Sequence, residues 1–174
     1  MIRGVDHIGI AVRSIAEGRA FYEALGLTVS GVEEVPGDQV RVAMIPCGDV
    51  RLELLEPTSP ESPIARFLER RGPGLHHVCL ASDDLAADDS RLRGAGYQVL
   101  RPRPTRGAGG CWIQFVHPKS AGGVLVELAQ GAHAAPAAGA AAPAPPTPVA
   151  AAETVPEGSA EGEPAKGAPA KEAP

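Results

Sequence analysis

Residues 5–30, VDHIGIAVRSIAEGRAFYEALGLTVS, and residues 75–100, LHHVCLASDDLAADDSRLRGAGYQVL, carry one pattern twice. Laid over each other, they match His7 with His77, Ile8 with Val78, Ile10 with Leu80, Ile15 with Leu85, Gly26 with Gly96 and Val29 with Val99. Each half also ends in an apolar strand that contains one acid, Leu52-Glu53-Leu54 and Val126-Glu127-Leu128. Duplicated modules that pack together bring equivalent residues to their shared axis. The repeat therefore predicts a four-ligand metal site made of His7, Glu53, His77 and Glu127.

Outward from that repeat, His7 to Val12 alternates and is rich in β-formers, which predicts a strand. Ser14 and Glu17 have the spacing of a capping box, opening a helix in which Phe21 and Leu25 share a face and which Gly26 ends. Val40–Ile45 and Arg51–Leu55 predict two further strands. Ser62-Pro63 opens a linker helix with Ile64, Phe67 and Leu68 as its apolar face, and Gly72 stops it. The second half repeats the order, with a strand from His76, a helix from Asp84, and strands near Tyr97–Leu100, Cys111–Val116 and Gly123–Ala129. Each half reads βαβββ. The expected fold is α+β: tandem βαβββ modules forming a curved mixed sheet, with two small sheets sharing a metal-binding cleft.

Composition divides the chain near residue 131. All the aromatics, all three cysteines and nearly all the Leu, Ile and Val lie before that point. Residues 132–174 are mostly Ala, Pro, Gly, Glu and Lys, a composition that cannot bury enough apolar surface to offset chain entropy, so a disordered tail is expected there. The remainder fits one domain. A formal net charge of −5 and the lack of a Lys/Arg run argue against nucleic acid or an anionic membrane surface as the main partner. No apolar run is long enough to span a bilayer, and the N-terminus does not read as a signal peptide. Cys47, Cys79 and Cys111 lack CxxC spacing, which predicts free, mostly buried thiols in a reducing cytoplasm.

Strand alternation separates the histidines. Neighbours on a strand point to opposite faces, so His76 and His77 are not expected in one cleft, and the repeat selects His77. Glu53 and Glu127 each sit between large apolar residues, where a carboxylate facing the core is costly unless paired or metal-bound. A single such acid would read as solvent-facing, whereas two at matching positions, each with a matching His, favour ligation. Two imidazoles and two carboxylates suit Co(II), Ni(II), Zn(II), Mn(II) or Fe(II). Four protein ligands on an octahedral ion leave two positions for the oxygens of one chelating substrate.

Several blocks resemble the methylmalonyl-CoA epimerase family of the vicinal oxygen chelate (glyoxalase/bleomycin resistance/dioxygenase) superfamily. They are Asp6–Val12, Phe21-Tyr22, Glu53–Pro57, Ser62–Leu68, Gly74–Val78, Phe115–Lys119 and Gly123–Leu128. The resemblance implies a vicinal oxygen chelate domain over 3–131, with 132–174 outside it. It further implies interconversion of (2R)- and (2S)-methylmalonyl-CoA in propionyl-CoA metabolism, one divalent metal (typically cobalt), and a homodimer. By position the metal ligands are His7, Glu53, His77 and Glu127, with Glu127 also a catalytic acid/base. Some relatives carry Gln where Glu53 stands.

Epimerisation through an enolate needs two acid/base groups, one on each face of the inverted carbon. The second-strand Glu proposed as one of them in some relatives falls here on Arg41 or Val42, leaving Glu33, Glu34, Asp38 or a bound water as candidates. Lys119 and the Arg106–Gly110 loop are candidate contacts for a carboxylate or for CoA phosphates. Other readings on the same fold are a glyoxalase-type lactoylglutathione lyase, an extradiol dioxygenase, and a metal-free binding protein for small ligands. The extra acid at Glu53 argues against the dioxygenase and the full four-residue set against the binding protein.

Overall fold

The duplication is built as two copies of one strand–helix–three-strand module. A computed structural model describes residues 1–131; the tail expected over 132–174 lies outside the described residues. The first module comprises β1 (Ile2–Ala11), α1 (Ile15–Ala24), β2 (Glu33–Val35), β3 (Val40–Cys47) and β4 (Val50–Pro57). Helix α2 (Pro63–Arg71) leads to β5 (Gly74–Ser82), α3 (Leu85–Gly94), β6 (Thr105–Arg106), β7 (Trp112–Val116) and β8 (Val126–Gln130).

The strands form one eight-stranded mixed sheet in the order β2-β3-β4-β1-β5-β8-β7-β6. β1 pairs β4 in parallel, as β5 pairs β8, and β1 meets β5 antiparallel. The two sheets expected to share a cleft are thus continuous. Each module would otherwise leave its first strand as an open edge, and pairing the two edges removes that liability.

Three local expectations are corrected. Tyr97–Leu100 is not a strand; it makes a single bridge, Val99 to Val116, and the module's missing strand is Thr105–Arg106. Pro102 and Pro104 carry no amide hydrogen and stop that pairing. The last strand starts at Val126 rather than Gly123, because Gly122 and Gly123 adopt φ of 63° and 89° in a turn. Ser14 precedes α1 as expected but makes no capping hydrogen bond with its side chain. The Glu56 carboxylate takes its place, accepting from the Ile15 N–H at 2.7 Å. Gln130 does the same in the second module, its Oε1 accepting from the Leu85 N–H at 2.8 Å. Each outer helix is tied at its start to the far end of its own module's last strand.

Helix α1 also turns a different face inward. Phe21 and Leu25 are 63% and 64% exposed, whereas Ile15 and Tyr22 pack against Val29, Ala43, Ile45 and Leu54. Ile15, Gly18 and Tyr22 form the helical stripe, with Gly18 close against Val12. On α2 the expected face holds: Ile64 and Leu68 bury against Ala11, Val35, Val40, Val42 and Leu55. All three cysteines are free, Cys79 and Cys111 buried and Cys47 exposed. Among the described residues no helix is long and apolar enough to cross a membrane.

Candidate metal centre

Sheet register brings the four sequence-selected residues together. On β1, Gly9 lies opposite Glu53 of β4 on one side and His77 of β5 on the other. On β5, Cys79 lies opposite His7 of β1 and Glu127 of β8. Exchanging the modules turns one set into the other, so His7 and His77 flank a local two-fold axis.

Their Nε2 atoms are 3.1 Å apart. A Glu127 oxygen lies 2.9 Å from His77 Nε2 and 3.6 Å from His7 Nε2. A Glu53 oxygen lies 3.4 Å from His7 Nε2 and 3.6 Å from His77 Nε2. Two donors each about 2.1 Å from one cation, at a right angle, are about 3.0 Å apart. The separations fit a single ion, and all four residues are only 3–5% exposed. His7, His77 and Glu127 make the tightest trio, with Glu53 closing the site from β4.

Two bulges organise the imidazoles. Between Val5 and His7 the β1–β5 register skips Asp6; between Gly9 and Ile10 it skips His76. These residues are equivalents in the repeat, each immediately before its metal-site histidine. A bulge breaks alternation and re-aims a side chain. That is why His76, expected to face away from His77, lines the same cavity. Asp6 Oδ1 lies 2.7 Å from His7 Nδ1, and His76 Nδ1 lies 2.9 Å from His77 Nδ1. Arg51 pairs with Asp6 from β4. Each imidazole is therefore held from behind while its Nε2 faces the centre, as outer-shell partners hold metal-ligating histidines.

The electrostatics follow. Burial opposes a charged His7, but hydrogen bonds to Asp6, Cys79, Glu127 and Glu53 outweigh it and raise the pKa. Burial likewise opposes ionised Glu127, yet His7 and His77 bring it down to about 2. Burial, with His77 beside it, lowers His76 to about 4.

The model of the Glyoxalase/Bleomycin resistance protein/Dioxygenase superfamily matches residues 6–115. The chain belongs to that superfamily. It is 42% identical over 127 residues to Uncharacterized protein YqjC of Bacillus subtilis, covering 72% of this chain and 91% of that one. It is 39% identical over 133 residues to the Ethylmalonyl-CoA/methylmalonyl-CoA epimerase of Cereibacter sphaeroides, covering 75% and 99%. Among solved structures, a variant of Streptomyces coelicolor methylmalonyl-CoA epimerase in complex with 2-nitronate-propionyl-CoA superposes with a TM-score of 0.74 at 36% identity, covering 76% of this chain and all of that one.

Enzymes of the glyoxalase/dioxygenase superfamily use a divalent metal, and the donor set here is of that chemistry. In this superfamily member the centre opens onto a cavity of about 270 Å³ lined by Glu53, His76, His77 and Glu127, with Val42, Leu55, Ile113 and Leu125 among the apolar walls. Of the three acids considered from sequence, Asp38 reaches the cavity, paired with Arg101 from the second module. Glu33 instead accepts from the Gly109 N–H at 2.9 Å, and Glu34 lies 3.9 Å from Arg41. Val42 lines the cavity while Arg41 pairs outside it with Glu56, so β3 contributes no acid there. Of the glycine-rich loop, Gly107 and Ala108 line the cavity, and Arg106 stacks on Trp112 at 3.9 Å. Lys119 is not part of the cavity wall.

Sequence reasoning missed Asp6, His76 and Arg101. The repeat could have flagged the first two, since both directly precede the matched histidines. Arg101 carries no local signal.

Proposed function

We propose that this chain is a methylmalonyl-CoA epimerase, an isomerase that inverts C2 of an acyl-CoA. The observation that carries the reading is the buried His7–Glu53–His77–Glu127 cluster opening onto a cavity, in a chain whose relatives and structural neighbours include named epimerases. His7, Glu53, His77 and Glu127 would hold one divalent ion, cobalt being the first choice in assays. Bound there, the ion supplies Lewis-acid stabilisation of the negative charge that develops on the substrate.

The chain's own residues do the rest. The C2 hydrogen lies between a thioester and a carboxylate, so its removal leaves a delocalised enolate. Glu127 at the cavity wall takes and returns the proton on one face of C2. Asp38 serves the other face, because inversion requires protonation from the opposite side. Arg101, stacked 5.1 Å from the Phe115 ring and lining the same cavity, offers its guanidinium to the substrate carboxylate. Val35, Val42, Leu55 and Ile113 keep bulk water from the enolate.

A second cleft, of about 310 Å³, shares Pro63, His76 and Leu125 with the first and is lined by Arg66, Arg70 and Arg71 of α2. That cationic wall suits the phosphates of coenzyme A. Exposed Phe21 and Leu25, side by side on α1, support the homodimer that the family resemblance implies.

The deciding experiment is exchange of the C2 hydrogen of methylmalonyl-CoA with solvent deuterium, run on chelator-treated protein and after restoring cobalt, manganese, nickel or zinc. Metal-dependent exchange is expected. No exchange with any of the four metals overturns the reading.

A further inference from the structure

We infer that His76 links the metal centre to the bound substrate: one ring nitrogen fixes the tautomer of His77, and the other presents an N–H donor to the cavity. The first half rests only on a cation at the four-residue site. The second half also rests on the epimerase reading.

Proton positions on the two rings follow from their contacts. His77 Nε2 lies 2.9 Å from Glu127 and 3.1 Å from His7 Nε2, so it is the ring's donor atom toward the cation. A nitrogen that donates its lone pair to a metal carries no proton, and a neutral imidazole then carries its proton on the other nitrogen. His77 is therefore protonated on Nδ1, which lies 2.9 Å from His76 Nδ1. Two ring nitrogens at that distance need one donor and one acceptor. His77 Nδ1–H is the donor, so His76 Nδ1 must be bare. That excludes imidazolium at His76 and puts its one proton on Nε2.

His76 Nε2–H has no hydrogen-bond partner among the described residues. Its ring stands edge-on to Phe67 at 5.0 Å and lines both the metal cavity and the arginine-walled cleft. It thus sits where an acyl-CoA threading from one cleft into the other must pass. An unpaired donor at that junction suits an oxygen of the thioester or of the carboxylate.

The first module shows what His76 replaces. At the equivalent bulge Asp6 accepts from His7 Nδ1 and is held in turn by Arg51. One relay ends in a protein guanidinium, and the other ends at the cavity wall.

The test uses full-length, 15N-labelled protein loaded with zinc, with imidazole tautomers read from long-range 1H–15N correlation spectra. Signals are assigned by their loss in His76→Phe, which keeps a ring against Phe67. Protonation of His77 on Nδ1 and of His76 on Nε2 alone is expected. A proton on His76 Nδ1 overturns the proposal. His76→Phe should also weaken zinc binding about 10–100-fold, as loss of an outer-shell partner does. Unchanged zinc affinity would remove the positioning role. With metal saturating, the same variant should raise KM for methylmalonyl-CoA about tenfold, the scale of one hydrogen bond to a charged or polarised acceptor. An unchanged KM would remove the substrate contact. Wild-type protein that shows the expected tautomers but does not turn over methylmalonyl-CoA would sink the epimerase reading and leave the His76–His77 relay standing.

Discussion

The His77 imidazole occupies the space that a side chain on Gly9 would need. A Cβ at residue 9 would lie 2.3 Å from His77 Cε1 and 2.4 Å from Nδ1. Gly9→Ala must displace a buried ring whose Nδ1 is also held by His76. The expected cost is about 1–3 kcal/mol of stability, as for other overpacked cores, with loss of most cation affinity. Calorimetric melting of chelated protein together with a zinc titration reads both quantities. Wild-type values for both would mean that the ring does not rest there.

Removing the cation should lower the melting temperature as well as activity, because an ion that binds only the folded chain stabilises it by mass action. Glu53→Gln keeps an oxygen donor and should retain weakened metal binding, while Glu53→Ala should lose more. Identical affinities for the two variants, measured by titration with cobalt, would count against Glu53 as a ligand.

Asp38→Asn should separate exchange from inversion. With one face of C2 deprived of its acid/base group, epimerisation should fall about 10²-fold or more. One epimer should still exchange its C2 hydrogen without changing configuration. Chiral analysis of product formed in deuterated buffer distinguishes this from a uniform loss, which would mean that Asp38 only holds Arg101 in place.

Thiol chemistry should divide the cysteines. Burial pushes Cys79 up to about 12 and Cys111 up to about 11, so neither forms appreciable thiolate below pH 9. Cys47 is exposed. Titration of the native protein with a disulfide reagent should show one fast thiol, and two more only after unfolding. Two or more fast thiols would contradict the burial of Cys79 and Cys111.

The clustering of His7, Glu53, His77 and Glu127 was legible because duplication gave each a partner, and two coincidences outweigh the solvent-facing reading that suits a lone His or Glu. The βαβββ order was legible for the same reason. What escaped was irregular or distant. Strict alternation sent His76 away from His77, since a bulge depends on cross-strand register, which a single strand does not encode. The Ser14–Glu17 spacing was sound local chemistry, but a carboxylate remote in sequence, on Glu56, reached the Ile15 N–H first. Phe21 and Leu25 do share a face of α1, but it is the exposed one; the stripe Ile15, Gly18, Tyr22 faces the core because Gly18 allows α1 to approach Val12 closely. The Asp38–Arg101 pair joins opposite modules, which no local pattern reveals.

Antiparallel pairing of β1 with β5 has a consequence for descent. A half-length chain with the first module's strands could have assembled this centre by dimerising with its own twin, each copy giving half the cage. Once both halves share one polypeptide, mutation is no longer copied to both. Asp6 and His76, Gly9 and Cys79, and Glu56 and Gln130 are the visible drift, around a cage to which both halves still give one His and one Glu.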